Sequence, residues 1–229
     1  VIKKVLKKVP FIYIWYKRLQ YSRLRRLNGL EKDALLQSAP TTQRNRHPDI
    51  FNELKHRFKD KPIRILSFGC STGEECKSLS EYMPLAHIVG VDVNKQSIAK
   101  AIGAYKSEKV SFYHSQSDAL GRLGEFDLIL AVSVLCRYPE SDLVNDSAAL
   151  FPFKLFNKTL EHLDQILKPN GLFFIRSSNY RLMDASISHK YSVEKFFGQR
   201  DAELFPKFDA NHKRLVGYLE MDELFVKNP

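Results

Sequence analysis

The most regular feature of the chain is the pattern after residue 61, where short apolar runs alternate with segments of helical periodicity. The apolar runs predict five buried strands, at residues 63–68, 87–91, 110–113, 126–132 and 172–175. Apolar side chains three and four positions apart predict helices at residues 74–83, 95–105 and 153–167. Two later runs, 215–219 and 224–226, predict an antiparallel pair. The predicted fold class is therefore α/β, a doubly wound, mostly parallel sheet of about seven strands.

The start of the chain has a different pattern. Residues 1–9 place aliphatic side chains on one side of a predicted helix and four lysines on the other. Residues 1–27 contain nine of the 36 basic residues and no acidic residue, whereas the rest of the chain has 27 basic and 26 acidic residues. This contrast predicts three parts, namely a basic amphipathic arm at 1–28, a helical linker at 29–60 and the main domain at 61–229.

The arm suggests three kinds of partner. An anionic membrane surface would accept its apolar side and attract its lysines, and Trp15, between Tyr13 and Tyr16, suits a membrane interface. RNA is the second alternative, because basic residues interleaved with aromatic ones can hold phosphates and stack bases. In the third, the apolar side docks on the domain or on a second subunit.

The first predicted strand leads directly into Gly69-Cys-Ser-Thr-Gly73 and then into a helix. Glycines allow a sharp turn and a close approach of the backbone to a ligand, and the free amides of the helix start point at that ligand. Asp92, at the end of the second strand, can accept hydrogen bonds from both ribose hydroxyls, and Asp118 follows the third strand, where it can meet an adenine amino group. Together these signals predict an adenosine-containing cofactor.

A family resemblance narrows this prediction. Cys70-Ser-Thr-Gly-Glu-Glu75 is similar to the cofactor loop of the chemotaxis receptor glutamate methyltransferases, and the order of motifs over residues 61–178 resembles class I S-adenosylmethionine-dependent methyltransferases. The resemblance implies a Rossmann-like methyltransferase fold with S-adenosylmethionine as cofactor and S-adenosylhomocysteine as product. It implies cofactor contacts from Phe68, Gly69, Cys70, Ser71, Gly73, Glu75, Asp92, Val93, Asp118, Ala119, Val132 and Ser133. Within this set it assigns Gly69, Ser71 and Gly73 to the methionine part, Asp92 to ribose and the Asp118 region to adenine.

The methyl acceptor is less well specified. Arg137 and Tyr138 lie at the tip of the fourth strand, and Asn179 and Tyr180 follow the fifth, so all four are candidates to face the acceptor. Arg137 could hold an anionic substrate or form a surface ion pair. His189 and His212 are the candidates for a general base. No metal site is predicted, because the three cysteines contain no CxxC pair and no cluster of acids is evident.

The sequence thus predicts an S-adenosylmethionine-dependent methyltransferase, with O-methylation of a small-molecule, glycan or lipid-linked acceptor at a membrane surface as the leading hypothesis. The alternatives are an RNA methyltransferase that uses the arm as a clamp, a protein carboxyl methyltransferase, and a non-catalytic interaction protein with this fold. The cysteine content favours a cytoplasmic location. If the arm binds lipid, the protein is expected to lie on the inner face of the cell membrane.

Overall fold

The structure is a computed structural model, and it describes residues 10–29, 37, 42–59, 61–115, 120–196, 203–220 and 223–229. The predicted helix at residues 1–9 lies outside the described residues. The α-helices are α1 (Pro10–Asn28), α2 (Pro48–Phe58), α3 (Glu74–Tyr82), α4 (Lys95–Tyr105) and α5 (Phe153–Ile166). The strands are β1 (Arg64–Phe68), β2 (His87–Asp92), β3 (Val110–His114), β4 (Phe126–Val132), β5 (Leu167–Arg176), β6 (Tyr191–Glu194), β7 (Glu203–Leu204), β8 (Leu219–Glu220) and β9 (Leu224–Lys227).

Seven strands form one sheet in the order β3-β2-β1-β4-β5-β9-β6, so the predicted fold class is confirmed. Neighbouring strands from β3 to β5 are parallel, and β9 is antiparallel to both β5 and β6. The reversal of strand order at β1 and β4 leaves a crevice at the carboxyl ends of the strands, which is where such sheets bind ligands.

The predicted late pair is only half right. Leu224–Lys227 is an antiparallel strand, but its partners are β5 and β6 rather than residues 215–219. The later part of that run, Leu219–Glu220, pairs instead with Glu203–Leu204 in a separate two-stranded sheet. The strand β6 was not predicted, because a four-residue edge strand such as Tyr191–Glu194 has too short a pattern to be distinguished from a loop.

Alternate side chains of the central strands supply two apolar layers. On one face, Leu66, Ile129 and Phe173 pack with side chains of α5. On the other face, Ile65 and Leu128 pack with side chains of α2, α3 and α4. Because the inner strands are covered on both faces, their sequences are mostly apolar rather than alternating. Helix α2, which the sequence places in the linker, contributes to the second layer. The predicted division of the chain into a linker and a main domain at residue 60 stays a prediction.

A buried ion-pair network joins three distant parts of the chain. The guanidinium of Arg176, at the end of β5, donates to both carboxylate oxygens of Glu223, at 2.8 and 2.5 Å. It also donates to both oxygens of Asp49 in α2, at 3.1 and 2.6 Å, and lies 3.1 Å from Nδ1 of His47. Arg176 and Glu223 are each 1% exposed, so these charges are compensated by one another rather than by water.

Helix α1 lies against the domain at the carboxyl edge of the sheet. Oδ1 of the buried Asn28 accepts the amide N–H of Lys95, the first residue of α4, at 2.8 Å. The guanidinium carbon of Arg137 lies 3.8 Å from the centre of the Tyr21 ring. Within the part of the chain that the structure describes, no helix is both long and apolar enough to cross a membrane.

Candidate functional site

The loop after β1 closes tightly over the end of β2. The amide N–H groups of Gly69 and Cys70 both donate to the carbonyl oxygen of Val91, at 2.8 and 3.0 Å. Gly69 has φ +80°, and a Cβ on it would lie 2.4 Å from a methyl carbon of Val134. Gly73 has φ +92° and immediately precedes α3. Both glycines are therefore required by the backbone path, and the loop presents main-chain groups at a helix start as predicted.

Asp92 connects this loop to the end of β2. Its carboxylate accepts the amide N–H of Ser71 at 2.9 Å and that of Asn94 at 2.7 Å. Burial raises the pKa of Asp92, and these two hydrogen bonds oppose that effect. A carboxylate has about four acceptor positions, so two remain for ligand hydroxyls. The buried Ser71 Oγ has no hydrogen-bond partner within the described residues and can pair with a ligand at the same place.

A narrow recess of about 30 Å³ lies beside the loop and contains groups of both charges. It is lined by four residues of the predicted cofactor set, Gly69, Cys70, Glu75 and Val132, and by Thr42, Gln43, Arg46, His47 and Phe51. Burial raises the pKa of Glu75, while its hydrogen bond from Ser67 (2.7 Å) and the charge of Arg46 lower it. A cation and a carboxylate in one recess suit the carboxylate and ammonium of an amino acid.

Residues 42–47 were missed as site residues by the sequence analysis. They precede the βαβ pattern and were placed in the linker, and only the packing of α2 on the sheet brings them to the loop. Arg46 was the available signal, but a lone arginine before a domain is most often a surface residue.

Of the remaining predicted cofactor residues, those that the structure describes lie at or just after the ends of β1, β2 and β4. Phe68 is the last residue of β1 and is buried. The carbonyl oxygen of Val93 lies 2.9 Å from Nε2 of His114. Ser133, which follows Val132 at the end of β4, has φ +53° and donates its amide N–H to the carbonyl oxygen of Arg176 at 2.9 Å. Asp118 and Ala119 lie outside the described residues, and their roles stay predictions.

Arg137 is buried at the tip of β4 and is not a surface residue. Its amide N–H donates to Oδ1 of Asn179 at 2.6 Å, and its guanidinium stacks on Tyr21. Asn179 also donates through Nδ2 to the carbonyl oxygen of Pro206 at 2.7 Å. The Asn179 side chain therefore joins the β4 tip, the segment after β5 and the C-terminal part of the chain.

The two tyrosines near the β4 and β5 tips differ in exposure. Tyr138 is exposed and packs on Phe205, with ring centres 5.8 Å apart. Tyr180 is fully buried among aromatic rings, and its hydroxyl hydrogen-bonds to Ser147 (2.8 Å) and to the carbonyl oxygen of Phe151. Burial raises the pKa of Tyr180 to about 12. The Tyr180 side chain belongs to the core, but the residue also lines a cavity of about 280 Å³ together with Ser178 and Lys207, so its assignment to the acceptor side stays a prediction.

Glu140 is a buried carboxylate near the β4 tip that the sequence analysis missed. It lies in a 3₁₀ turn (Glu140–Leu143) that contacts α1, and it is 1% exposed. Neither of its carboxylate oxygens has a hydrogen-bond partner within the described residues. A carboxylate held dry without donors is costly, so such groups are typical of functional sites.

The structure brings neither candidate histidine to an open acceptor position. Nε2 of His212 accepts the amide N–H of Phe153 at 3.0 Å, so this ring caps the start of α5. His189 is exposed in the turn that precedes β6. Because β6 runs in the same direction as β5, that turn lies at the amino end of the strands, opposite the cofactor loop.

Cys70 offers no ionised nucleophile at the loop. Hydrogen bonding to Cys76, together with burial, raises the pKa of the Cys70 thiol well above its usual range. Among the residues whose positions are described, no group of three or more His, Cys, Asp or Glu side chains could hold a metal ion.

Comparison with known proteins assigns the family. A family model described as "Methyltransferase domain" matches residues 42–215, which include the loop, Asp92 and the recess. The chain belongs to the methyltransferase domain family. Its methyltransferase domain has S-adenosylmethionine as cofactor. The narrower resemblance to the chemotaxis receptor methyltransferases stays a prediction.

The curated relatives that match this chain share 24–31% sequence identity with it over part of their length. The chain is 31% identical over 83 residues to a malonyl-[acyl-carrier protein] O-methyltransferase of Bacillus cereus, a match that covers 36% of this chain and 31% of the relative. A protein of that name from Priestia megaterium is 24% identical over 154 residues, covering 67% and 51% of the two chains. A trans-aconitate 2-methyltransferase of Deinococcus radiodurans is 25% identical, covering 58% and 48%. The matches thus span about a third to a half of the relatives' lengths.

Solved structures with a similar arrangement include the plantazolicin methyltransferase BpumL in complex with SAH. It is 20% identical, covers 76% of this chain and 57% of that chain, and has a TM-score of 0.40. The structure of PKMT2 from Rickettsia typhi is 22% identical, covers 56% and 24%, and also has a TM-score of 0.40.

The residues of this chain fit the cofactor. The carboxylate of Asp92 has acceptor positions that would suit ribose hydroxyls, and the unpaired Ser71 Oγ could bond to the ligand in the same loop. Arg46 and Glu75 carry charges opposite to those of a methionine carboxylate and ammonium. Gly69 leaves no space for a side chain against Val134, so the loop can approach the ligand only as glycine.

Proposed function

We propose that this chain transfers a methyl group from S-adenosylmethionine to an oxygen atom of a small-molecule, glycan or lipid-linked acceptor. The observation that carries the proposal is the polar set around Asp92 within a domain of the methyltransferase family. Oxygen is favoured because the malonyl-[acyl-carrier protein] relatives are named O-methyltransferases and because the β4 tip holds a buried carboxylate.

When bound, the cofactor supplies a methyl group on a positively charged sulfur, which any well-placed nucleophile can attack. The chain therefore has mainly to orient the acceptor and to exclude water. Asn179 fixes the main chain at Arg137, and Tyr21 covers the guanidinium. A hydroxyl acceptor must lose a proton, and Glu140 is the carboxylate near the β4 tip that can accept it. A carboxylate acceptor needs no base.

The cofactor half of the proposal is tested by calorimetry with S-adenosylhomocysteine. Asp92→Ala should lower its affinity by at least about tenfold, since two hydroxyl hydrogen bonds to a charged group are lost. Glu81→Ala is the matched control, because that carboxylate lies on the outer side of α3 and pairs with Arg44 and Lys77. Equal affinity of the Asp92 variant and the wild type would contradict the placement of the ribose.

The acceptor half is tested with tritiated S-adenosylmethionine and three cell fractions, namely total lipid extract, small acids and tRNA. Label in the lipid or small-acid fraction supports the proposal, and mild alkali then distinguishes esters, which release methanol, from ethers, which do not. For an ether product, Glu140→Gln should lower turnover, because the amide cannot accept the proton of a hydroxyl acceptor. Label in tRNA alone would contradict the proposal and favour the RNA alternative.

A further inference from the structure

Helix α1 has two sides with different surroundings. At about 100° per residue, Tyr21, Leu24 and Asn28 share one side, and the structure shows that this side packs on the domain. Ile12, Trp15 and Leu19 fall on the opposite side, and their side chains are 44%, 58% and 49% exposed. We call these three residues the outer stripe. Such a contiguous group of exposed large apolar side chains marks an interaction surface.

Basic residues continue the outer stripe toward the end of the helix. Arg23 and Arg26 fall on the same side of α1 as the stripe and are exposed. The side is thus apolar in its first turns and cationic in its last turns. No acidic residue occurs in residues 1–27, so nothing in this segment opposes an anionic partner.

The position of α1 shows where this surface points. Its inner side contacts Lys95, just after the end of β2, and Arg137, just after the end of β4. Both contacts lie at the carboxyl edge of the sheet, where the cofactor loop lies. The outer stripe therefore faces away from the domain on the same edge as the cofactor site.

We propose that the outer stripe of α1 docks on an anionic lipid bilayer. A tryptophan with aliphatic neighbours enters the headgroup region favourably, and arginines one to two turns away reach lipid phosphates. RNA fits less well, because Ile12 and Leu19 offer neither stacking nor hydrogen bonds. Docking in this orientation presents the cofactor edge to acceptors held in the membrane, a consequence that rests on the proposed function.

Trp15 is the only tryptophan of the chain, so its fluorescence reports on the stripe directly. The full chain, without cofactor, is titrated with vesicles of phosphatidylcholine and phosphatidylglycerol in equal parts, and with vesicles of phosphatidylcholine alone. A blue shift of Trp15 emission is expected with the anionic vesicles and is expected to be much weaker with the neutral ones. No shift with anionic vesicles would overturn the proposal.

Flotation with the same anionic vesicles tests how much individual residues on this side of α1 contribute to vesicle binding. Leu19→Ser should lower the fraction bound, and Arg23→Gln with Arg26→Gln should lower the partition coefficient roughly thirtyfold. Val216→Ser is the matched control, because this side chain is 94% exposed but far from α1 in sequence, and it should bind like the wild type.

Two outcomes would overturn the proposal, one from flotation and one from a parallel assay on immobilised tRNA. The first is equal binding by the wild type and the stripe variants. The second is retention on tRNA without vesicle binding, which favours the RNA alternative. Calorimetry with S-adenosylhomocysteine monitors the folding of every variant. Vesicle binding needs no methyl transfer, so the lipid-docking proposal can fail while the proposed function stands.

Discussion

The cofactor side and the acceptor side of the cleft are built in different ways. On the cofactor side, Asp92 accepts the amide of Ser71, 21 residues earlier, and both belong to one βαβ unit. On the acceptor side, Asn179 connects Arg137 with Pro206, and Arg137 stacks on Tyr21, more than 100 residues away. The contact between Asp92 and the loop thus follows from local sequence, whereas the predicted acceptor side depends on where distant segments meet. This separation lets one fold keep its cofactor and change its acceptor.

The largest effect should follow from breaking the network that holds the distant segments. Arg176→Met leaves Glu223 and Asp49 without their shared cation, and we expect a loss of about 3–5 kcal/mol in the free energy of unfolding. Urea denaturation measures it. Arg181→Met is the control, since its pair with Asp184 is partly exposed and should contribute about 0–1 kcal/mol. Similar losses for both variants would mean that the buried network has no special role.

A substitution in the loop should lower the affinity for the cofactor product. Gly69→Ala places a Cβ against Val134 and a non-glycine residue at positive φ, so S-adenosylhomocysteine affinity should fall at least about tenfold, or ~1.4 kcal/mol. Gly103→Ala is the control, because its added Cβ meets nothing and a helical alanine should stabilise by about 0.5–1 kcal/mol. Unchanged affinity in the Gly69 variant would refute the close approach of this loop.

A substitution on the predicted acceptor side should lower stability and leave the affinity for the cofactor product unchanged. Asn179→Ala leaves the buried amide of Arg137 and the carbonyl of Pro206 unpaired, at a cost of about 1–3 kcal/mol in unfolding free energy. Affinity for S-adenosylhomocysteine, measured by calorimetry, should stay near the wild-type value. A parallel loss of affinity would show that the two sides are energetically coupled.

The smallest expected effect distinguishes two roles of His212, a helix cap and a catalytic base. His212→Ala removes the acceptor of the Phe153 amide and should destabilise the protein by about 1 kcal/mol, by analogy with other lost caps, without changing turnover per folded molecule. His189→Ala should change neither stability nor turnover. Thermal unfolding and the tritium assay on the labelled fraction provide the two measurements. A large loss of turnover in the His212 variant would restore it as a base.

Most of the fold was predictable because each central strand is a continuous apolar run between turn signals. Helix α4 was predicted from its apolar spacing, and the structure shows that Asn94 caps it by accepting the amides of Gln96 and Ser97, at 3.0 and 3.2 Å. The edge strand β6 and the partners of β9 were missed, since a strand's own sequence does not say which strand lies beside it.

The sequence by itself determined the five parallel strands, the glycine loop and the position of Asp92, because each of these depends on residues that are close together in the chain. Only the tertiary structure decided that Arg46 reaches the loop, that Tyr180 is in the core and that His212 caps a helix. It also decided that α1 packs one side on the carboxyl edge and exposes the other. These results come from long-range packing, and periodicity identifies an amphipathic side without saying what covers it.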